Sequence, residues 1–518
     1  MVEKMQYGYQ MSLPMLDKHA QEMAYQAAPD LFPNRDKAVD KPGGIDVELT
    51  DTYSTNGWDT VSVCSVTDLN KSVAAQKTYP MSMKHTTKDE EEGDVSLSAD
   101  FDPWSISAKG DGGLVNLKIP IKSGTLIYNG KESNIKDSSA VIQVRLSFYP
   151  LIKGSVAEPN NYNLDISKAA NNSCVISVVE FNSNLGFIKS SVAQSVFSDW
   201  LNLNSTLEKI GILFATAQLN MSDSEDFKWL TPTYSSYAYV DVGGDLSKSK
   251  FAVLCMLMNR KPPEVHQAPG IIYSEGCNYA FMINREVYVE YQLLPSMTYT
   301  FEGSKPSDFS LGSGEKGESK STITAHNLKL EKVEYGGFDY YPVMDDMIIE
   351  VNEDKIICTV DFTTEISPGI TAHSFVKTEN LLKLDKNDAG EIIMVYDPIG
   401  DPITRNQADV SPGVIVTEVL VEIITAVVGF GVGKVVTAIL KRVLCAVIVV
   451  LVCVVISVII HVIIEKIYSE GVQKQMPSIM PMTATATKYV KWPFLKDAHF
   501  VPKEAVLNGT LCFMGVLE

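Results

Sequence analysis

The feature that most constrains this chain is a run of 22 residues, Val443 to Ile464, without a single charged side chain. Only Cys445, Cys453, Ser457 and His461 interrupt its branched apolar residues. As a helix rising about 1.5 Å per residue the run would be about 33 Å long, enough to cross a bilayer core of about 30 Å. The stretch before it, from Val414, keeps Glu418, Glu422 and Lys434 among apolar residues, with the two glutamates four apart on one helical face. Val and Ile also suit a strand, but so long a strand would be unusual and the flanking polar residues follow helical spacing, so a helix is expected. No second free-standing apolar span exists, and a single anchor would strand Glu465 to Glu518, including Trp492-Pro493-Phe494, on the far side. A helix apolar all round can instead be buried in a large core. A curved antiparallel sheet wrapped around it would hide it and, if the fit is loose, leave a tube for an acyl chain.

Strands to build such a sheet are legible. Val95, Leu97, Ala99 and Phe101 alternate with polar residues, as do Val115, Leu117, Ile119 and Ile121, and then Ile142, Val144, Leu146 and Phe148. Pro120 cannot donate to a ladder, which makes its strand an edge or places a bulge there. The same alternation returns in Ile356, Cys358, Val360, Phe362 and Ile366, and strands with one wet face are expected to be antiparallel. Between these blocks Val192, Val196, Trp200, Leu207, Ile210 and Phe214 predict a helix over 191–219, and Val66, Leu69 and Val73 a shorter one behind Thr67-Asp68. The acidic run 89–92 and the Gly, Ser and Lys-rich run 303–321 read as loops. The first fifty or so residues end in Lys41-Pro42-Gly43-Gly44 and read as an extension, 1–52, ahead of one α+β unit, 53–518, with room for two halves.

The charge excludes one class of partner. Lys and Arg total 44 against 63 Asp and Glu, a net charge of −19. That argues against nucleic acid, whose phosphates require clustered cations. The eight cysteines contain no CxxC pair and the seven histidines are scattered, so reduced buried thiols, no metal site and no cofactor are expected. Gly429-Phe430-Gly431-Val432-Gly433-Lys434 imitates a phosphate loop, but Val428 stands where the first glycine belongs and Val435 where Ser or Thr does. Gly429 and Gly433 do satisfy GxxxG, for which a bend or plain packing is the expected use. No residue set positions a nucleophile, and no enzyme is expected. The N-terminus lacks the apolar core of a secretory signal, which predicts cytoplasmic synthesis and release by lysis or a dedicated route.

Thr55-Asn56-Gly57-Trp58-Asp59-Thr60-Val61, followed by Val66-Thr67-Asp68-Leu69-Asn70-Lys71, resembles the opening of the bacterial tubular lipid-binding (TULIP) proteins found beside clostridial neurotoxin genes and in insecticidal toxin loci. In that family a Gly-Trp-Asp strand precedes a short helix containing Asn-Lys. Ala99-Asp100-Phe101-Asp102-Pro103-Trp104, the long apolar region and Leu507-Asn508-Gly509-Thr510-Leu511 add to the likeness, which covers about Tyr53 to Glu518. The resemblance implies an elongated fold, a highly curved antiparallel sheet wrapped around a long apolar helix, and a non-enzymatic accessory protein that binds lipid. The arm before Thr52 departs from the family pattern, and so does the completeness of the apolar run, since a fully packed core would leave no cavity.

The leading expectation is therefore a lipid-binding accessory protein of a toxin system, with lipid or a membrane surface and other toxin-complex proteins as partners. Two alternatives stay open: a membrane-inserting toxin component with a helical hairpin at 414–464, and a purely structural toxin-assembly protein. On a helix through the apolar run, Leu444, Val447, Leu451, Val454 and Val458 share one face, free of polar atoms, and are the expected lipid-facing stripe, with Ser457 and His461 on a neighbouring face. Trp58 is expected to fill core.

Overall fold

The computed structural model of the chain describes residues 53–88, 94–153, 156–168, 175–220, 227–301, 303–312, 321–330, 332–335, 338–412, 443–451, 476–495 and 499–518. The expectations for 1–52, 89–92, 414–442 (with the Gly429 motif) and 452–464 fall outside the described residues. What is described is mainly antiparallel sheet with few helices, and four sheets have four or more strands.

In the first sheet the strands lie in the order Pro232–Val240, Lys250–Leu257, Thr60–Ser65, Tyr279–Ile283, Leu511–Leu517 and Phe500–Leu507. Both of its faces are covered. Val61, Val63, Leu254, Met256 and Met282 join one apolar cluster, while Cys64, Phe251, Val253, Cys255 and Phe281 join the main core. This explains why Phe251 to Leu257 is apolar throughout instead of alternating: neither face meets water.

The second sheet runs Ser177–Asn182, Ser139–Val144, Leu114–Tyr128, Val95–Phe101 and Ser82–Thr87. Val95, Leu97, Ala99, Phe101, Val115, Leu117, Ile119 and Ile121 all face the core as the alternation requires. Pro120 lies inside the long strand, where the chain changes neighbours. Residues up to 120 pair with Ser139–Val144, residues from 121 pair with Val95–Phe101, and that second pairing slips by a bulge at Asp100/Phe101. The missing N–H is thus placed where the ladder is already broken.

The third alternating stretch is divided between two sheets. Ser139–Val144 belongs to the second sheet, and after Arg145 the chain enters the third as Leu146–Lys153. The break is held by a main-chain bond from Ser167 N to Arg145 O, 2.7 Å, and by Leu146 N donating to the Tyr237 side-chain hydroxyl, 2.7 Å. The third sheet continues through Val156–Ile166, Ala215–Gln218 and Val490–Lys491.

The fourth sheet runs Phe309–Leu311, Thr322–Lys329, Val343–Val351, Ile356–Ser367, Ile370–Lys386 and Ile392–Pro398, with Ile403–Val410 also on the Ile370–Lys386 strand. Ile356, Cys358, Val360, Phe362 and Ile366 are buried on one face as expected. The Gly, Ser and Lys-rich run is not all loop: Phe309–Leu311 pairs with Ile323 to Ala325 and buries the Phe309 ring.

Three helices of ten residues or more are described in full: α1 (Val66–Gln76), α2 (Phe187–Leu201) and α3 (Met480–Tyr489). The helix expected over 191–219 is corrected: α2 begins earlier and stops at Leu201. The Asn202 side chain accepts from Val175 N and Ile176 N and donates to Ile176 O and Ser198 O, so it diverts the chain from the helical ladder. Leu207 then ends a single turn, Asn204–Leu207, and Ile210 and Phe214 are buried on non-helical chain.

Candidate functional site

The Thr60–Ser65 strand passes without a linker into α1, and the junction is made by Ser65. Its Oγ accepts from Asp68 N at 3.1 Å and donates to Asp68 Oδ2 at 3.0 Å, which caps the helix and places a carboxylate in its first turn. Val66, Leu69 and Val73 turn inward at three-and-four spacing, as their sequence positions require. Two amide side chains fix the helix further. Asn70 donates to Ile106 O at 3.0 Å and accepts from Ile106 N at 2.6 Å, and Gln76 clasps Leu213 N and O, both at 2.8 Å. Of the Asn-Lys pair, then, Asn70 is structural. Lys71 points outward, 71% exposed, and reaches only Asp68 among the described residues, at 2.7 Å.

The outer side of α1 forms one wall of a groove of about 510 Å³, to which it contributes Asp68, Lys71, Ser72, Ala75 and Gln76. The other wall is Pro493, Phe494 and Leu495, closed by Asn278 and Leu517. Asn278 is pinned by its N–H to Gly515 O, 3.0 Å, and by its Oδ1, which accepts from Leu517 N at 2.9 Å. Phe494 stacks beside the buried Trp492, with ring centroids 6.3 Å apart, and Trp492 meets Phe251 edge-on. The sequence analysis singled out neither wall as a site, since the Asn-Lys helix entered only through the family likeness and Trp492-Pro493-Phe494 only as chain beyond the apolar run, and nothing local says that residues some 420 positions apart meet.

The predicted lipid-facing stripe lies elsewhere. Residues 443–451 are helical as expected, and Leu444, Val447 and Leu451 are buried at 4%, 2% and 1% exposure. Val454 and Val458 lie outside the described residues. The other six of the nine are equally buried, so burial does not single out the stripe, and none of its three described members lines the groove. Polar side chains reach this helix from Tyr288, whose hydroxyl donates to Val447 O, and from Gln292, whose Nε2 donates to Val450 O at 2.6 Å. They come from the turn Arg285–Tyr288 and the π-helical turn Val289–Leu293 that follows it. No helix among the described residues is long and apolar enough to cross a membrane.

The Gly57-Trp58-Asp59 motif builds a rigid node. Trp58 is 1% exposed, stacks on Tyr234 and donates from Nε1 to Val265 O at 3.1 Å, as a core residue should. Asp59 is fully buried and accepts from Leu257 N at 2.8 Å and from Arg260 Nη1 at 2.7 Å. Burial outweighs these partners and pushes its carboxyl up from 3.8 to about 6, with Glu290 adding repulsion. Its main chain bonds Cys255 and Asn284, so one residue ties together the first sheet and the turn that carries Tyr288. Burial also pushes the Cys255 thiol up to about 11 and the Cys358 thiol to about 12, as for inert core cysteines. Among the described residues no group of His, Cys, Asp and Glu could hold a metal ion.

Known proteins align with almost all of this architecture. A family model described as OrfX-like, Protein OrfX2/OrfX3/P47, matches residues 55–515. The chain is 27% identical to Protein OrfX3 of Paraclostridium bifermentans over 398 residues, 68% of this chain and 77% of that protein. It is 26% identical to Protein OrfX3 of Clostridium botulinum (strain Kyoto / Type A2) over 395 residues, 70% of this chain and 79% of that protein. The fold is similar to P47 from Clostridium botulinum A2, with a TM-score of 0.61 at 14% identity over 90% of this chain and 99% of that one. P47 of Clostridium botulinum E1 gives 0.58 at 16% identity, over 90% of this chain and all of the other.

Proposed function

Since the chain belongs to the OrfX-like family, we propose that it is a non-enzymatic accessory protein of a bacterial toxin system that carries an apolar lipid tail in the groove between α1 and Pro493 to Leu495. The observation that carries this reading is the groove itself: about 510 Å³, with Ala75, Phe494, Leu495 and Leu517 offering apolar surface beside a short polar wall. That volume lies in the range of sites for one small molecule, ~300–1,000 Å³. The polar side chains around it are engaged in capping and clasping, which suits binding better than proton transfer. On this reading the fourth sheet and the helix at 443–451, which share the main core, would be parts of a tube of the TULIP kind, with the groove as the lipid site. Other proteins of the toxin system are the partners this membership suggests.

Native mass spectrometry of the purified chain should find co-purified lipid, and the variant Phe494→Asp should lose it while keeping its melting temperature within a few degrees. Lipid held at full stoichiometry by the folded variant would move the site away from the groove. A chain that never carries or takes up lipid would leave the purely structural alternative.

A further inference from the structure

We propose that the start of α2 docks on an anionic bilayer surface, with Phe187 and Ile188 entering its apolar layer and Lys131 and Lys189 meeting its phosphates. This contact is separate from the groove and goes beyond the lipid-tail reading. Apolar side chains scattered singly over a surface are ordinary. Here the two most exposed large apolar side chains among the described residues are neighbours, Phe187 at 76% and Ile188 at 67% exposure. Packing of α2 does not account for them. The helix seats Ala193, Val196, Phe197, Trp200 and Leu201 in the core, where Phe197 and Trp200 meet Phe101 of the second sheet. Leu185 and Val192, on either side of the pair, are tucked against that core. The side of the helix that continues from Ile188 at three-and-four spacing is Ser191, Ser195 and Asp199, all exposed. Two large apolar residues thus head a face that is otherwise polar.

Charge complementarity decides what covers them. Lys189 Nζ donates to Ser133 Oγ at 2.8 Å, which brings the short strand Lys131–Asn134 alongside the first turn of α2. Ser133 stands opposite Leu126 and Lys131 opposite Tyr128, so both lie on the face that carries Leu97, Ala99 and Phe101, the face α2 covers. Glu132, between them, lies on the other face. The chain around this tip is unlike the rest of the molecule. Residues 181–198 hold one lysine and no acid, and residues 120–140 hold three lysines against two acids, in a chain of net charge −19. Charges are screened over about 8 Å at physiological ionic strength, so a bilayer touching the tip meets its lysines and not the acidic bulk. Even Asp199, on the same helix, is about 16 Å along the axis from Ile188. An apolar patch on another protein would match Phe187 and Ile188 but leave both lysines without an anion. Anionic lipid matches all four, in the way that amphipathic elements lie in a membrane interface.

The test is flotation of the full chain with phosphatidylcholine vesicles, with and without phosphatidylserine. The wild-type chain should float with the phosphatidylserine vesicles and less with the neutral ones. Phe187→Ser combined with Ile188→Ser should weaken that binding at least about tenfold, at an unchanged melting temperature because both side chains are exposed. Lys131→Gln should cost about fivefold on phosphatidylserine vesicles, the factor expected per lysine near an anionic leaflet, and nothing on neutral ones. Phe187→Trp should gain fluorescence that brominated acyl chains quench beyond the wild-type signal, which would place the ring below the headgroups. Undiminished flotation of the folded double variant would overturn the proposal, as would a wild-type chain that binds neither vesicle. A wild-type dimer that the double variant dissolves, with vesicle binding unchanged, would make a second copy the occupant and overturn it too. The groove reading fails separately: the double variant should keep co-purified lipid, and Phe494→Asp should lose that lipid yet still float. Loss of flotation in Phe494→Asp, with the double variant unaffected, would transfer membrane binding to the groove.

Discussion

Replacing Asp59 by Asn isolates the energetics of the node behind the Gly-Trp-Asp motif. The carboxyl is fully buried, and its folded pKa of about 6 stands above the ordinary 3.8. The folded state therefore takes up the proton first. The contribution of this group to stability is fully present below about pH 4 and is lost as the pH rises through about 6. The gap of roughly two units corresponds to about 3 kcal/mol in all, of which linkage expresses about half at pH 5 and almost none at pH 8. The groups facing Asp59 are Arg260, Glu290, Cys255 and Tyr291, and of these Arg260, one-third exposed, can turn to solvent when its partner is neutralised. Urea unfolding of wild type and Asp59→Asn at pH 5 and pH 8 cancels every other titrating group in the difference between the two proteins. The variant should stand about 1 kcal/mol better, relative to wild type, at pH 8 than at pH 5. A difference that is the same at both pH values would refute the claim that burial dominates this carboxyl. One that runs the other way would show that the ionised pair with Arg260 holds the node together.

Three further substitutions probe the frame around the groove. Trp58→Ala should cost about 3 to 5 kcal/mol, the usual range for emptying a buried aromatic site, and an unchanged melting temperature would refute its role in the core. Asn70→Leu leaves both Ile106 main-chain groups without partners and should cost about 1 to 3 kcal/mol; hydrogen exchange at the Ile106 amide should accelerate, and unaltered protection would contradict the pairing seen. Gly515→Ala places a methyl on the Val501 carbonyl oxygen and 2.8 Å from Pro502 Cα, so the last two strands must separate. Lower thermal stability is expected, and wild-type stability would mean that the hairpin yields more easily than its packing implies.

Legibility in the sequence followed how local each cause is. The strands around Val95, Val115 and Ile356 each have one covered and one wetter face, and their alternation could be read directly. Lys250–Leu257 gave no alternation because both its faces are covered, a property of the assembled sheet. The long helix expected over 191–219 failed because Leu207, Ile210 and Phe214 follow the core at helical intervals on a chain that Asn202 has already turned aside. Phe309 was hidden in a Gly and Ser-rich run whose composition outweighed one aromatic ring in need of a partner strand. None of the groove was read from the sequence, where its two walls appear as unrelated segments. Their meeting depends on the Leu511–Leu517 strand, which brings Leu517 to Asn278, and no periodicity records that.

The strand order of the first sheet also sets a timetable. Thr60–Ser65 and Tyr279–Ile283 are neighbours in that sheet, and the far side of Tyr279–Ile283 is completed only by Leu511–Leu517. At a synthesis rate of about 5 to 20 residues per second, the ribosome needs roughly 10 to 50 s to travel from Tyr279–Ile283 to Leu511–Leu517. Throughout that interval the nascent sheet presents an open edge with apolar residues on both faces, the kind of surface that recruits the wrong strand. Contacts of such long sequence separation also close slowly once the chain is complete. Until Leu511–Leu517 is made, the free side of Tyr279–Ile283 is thus the place where this sheet is most open to mispairing and aggregation.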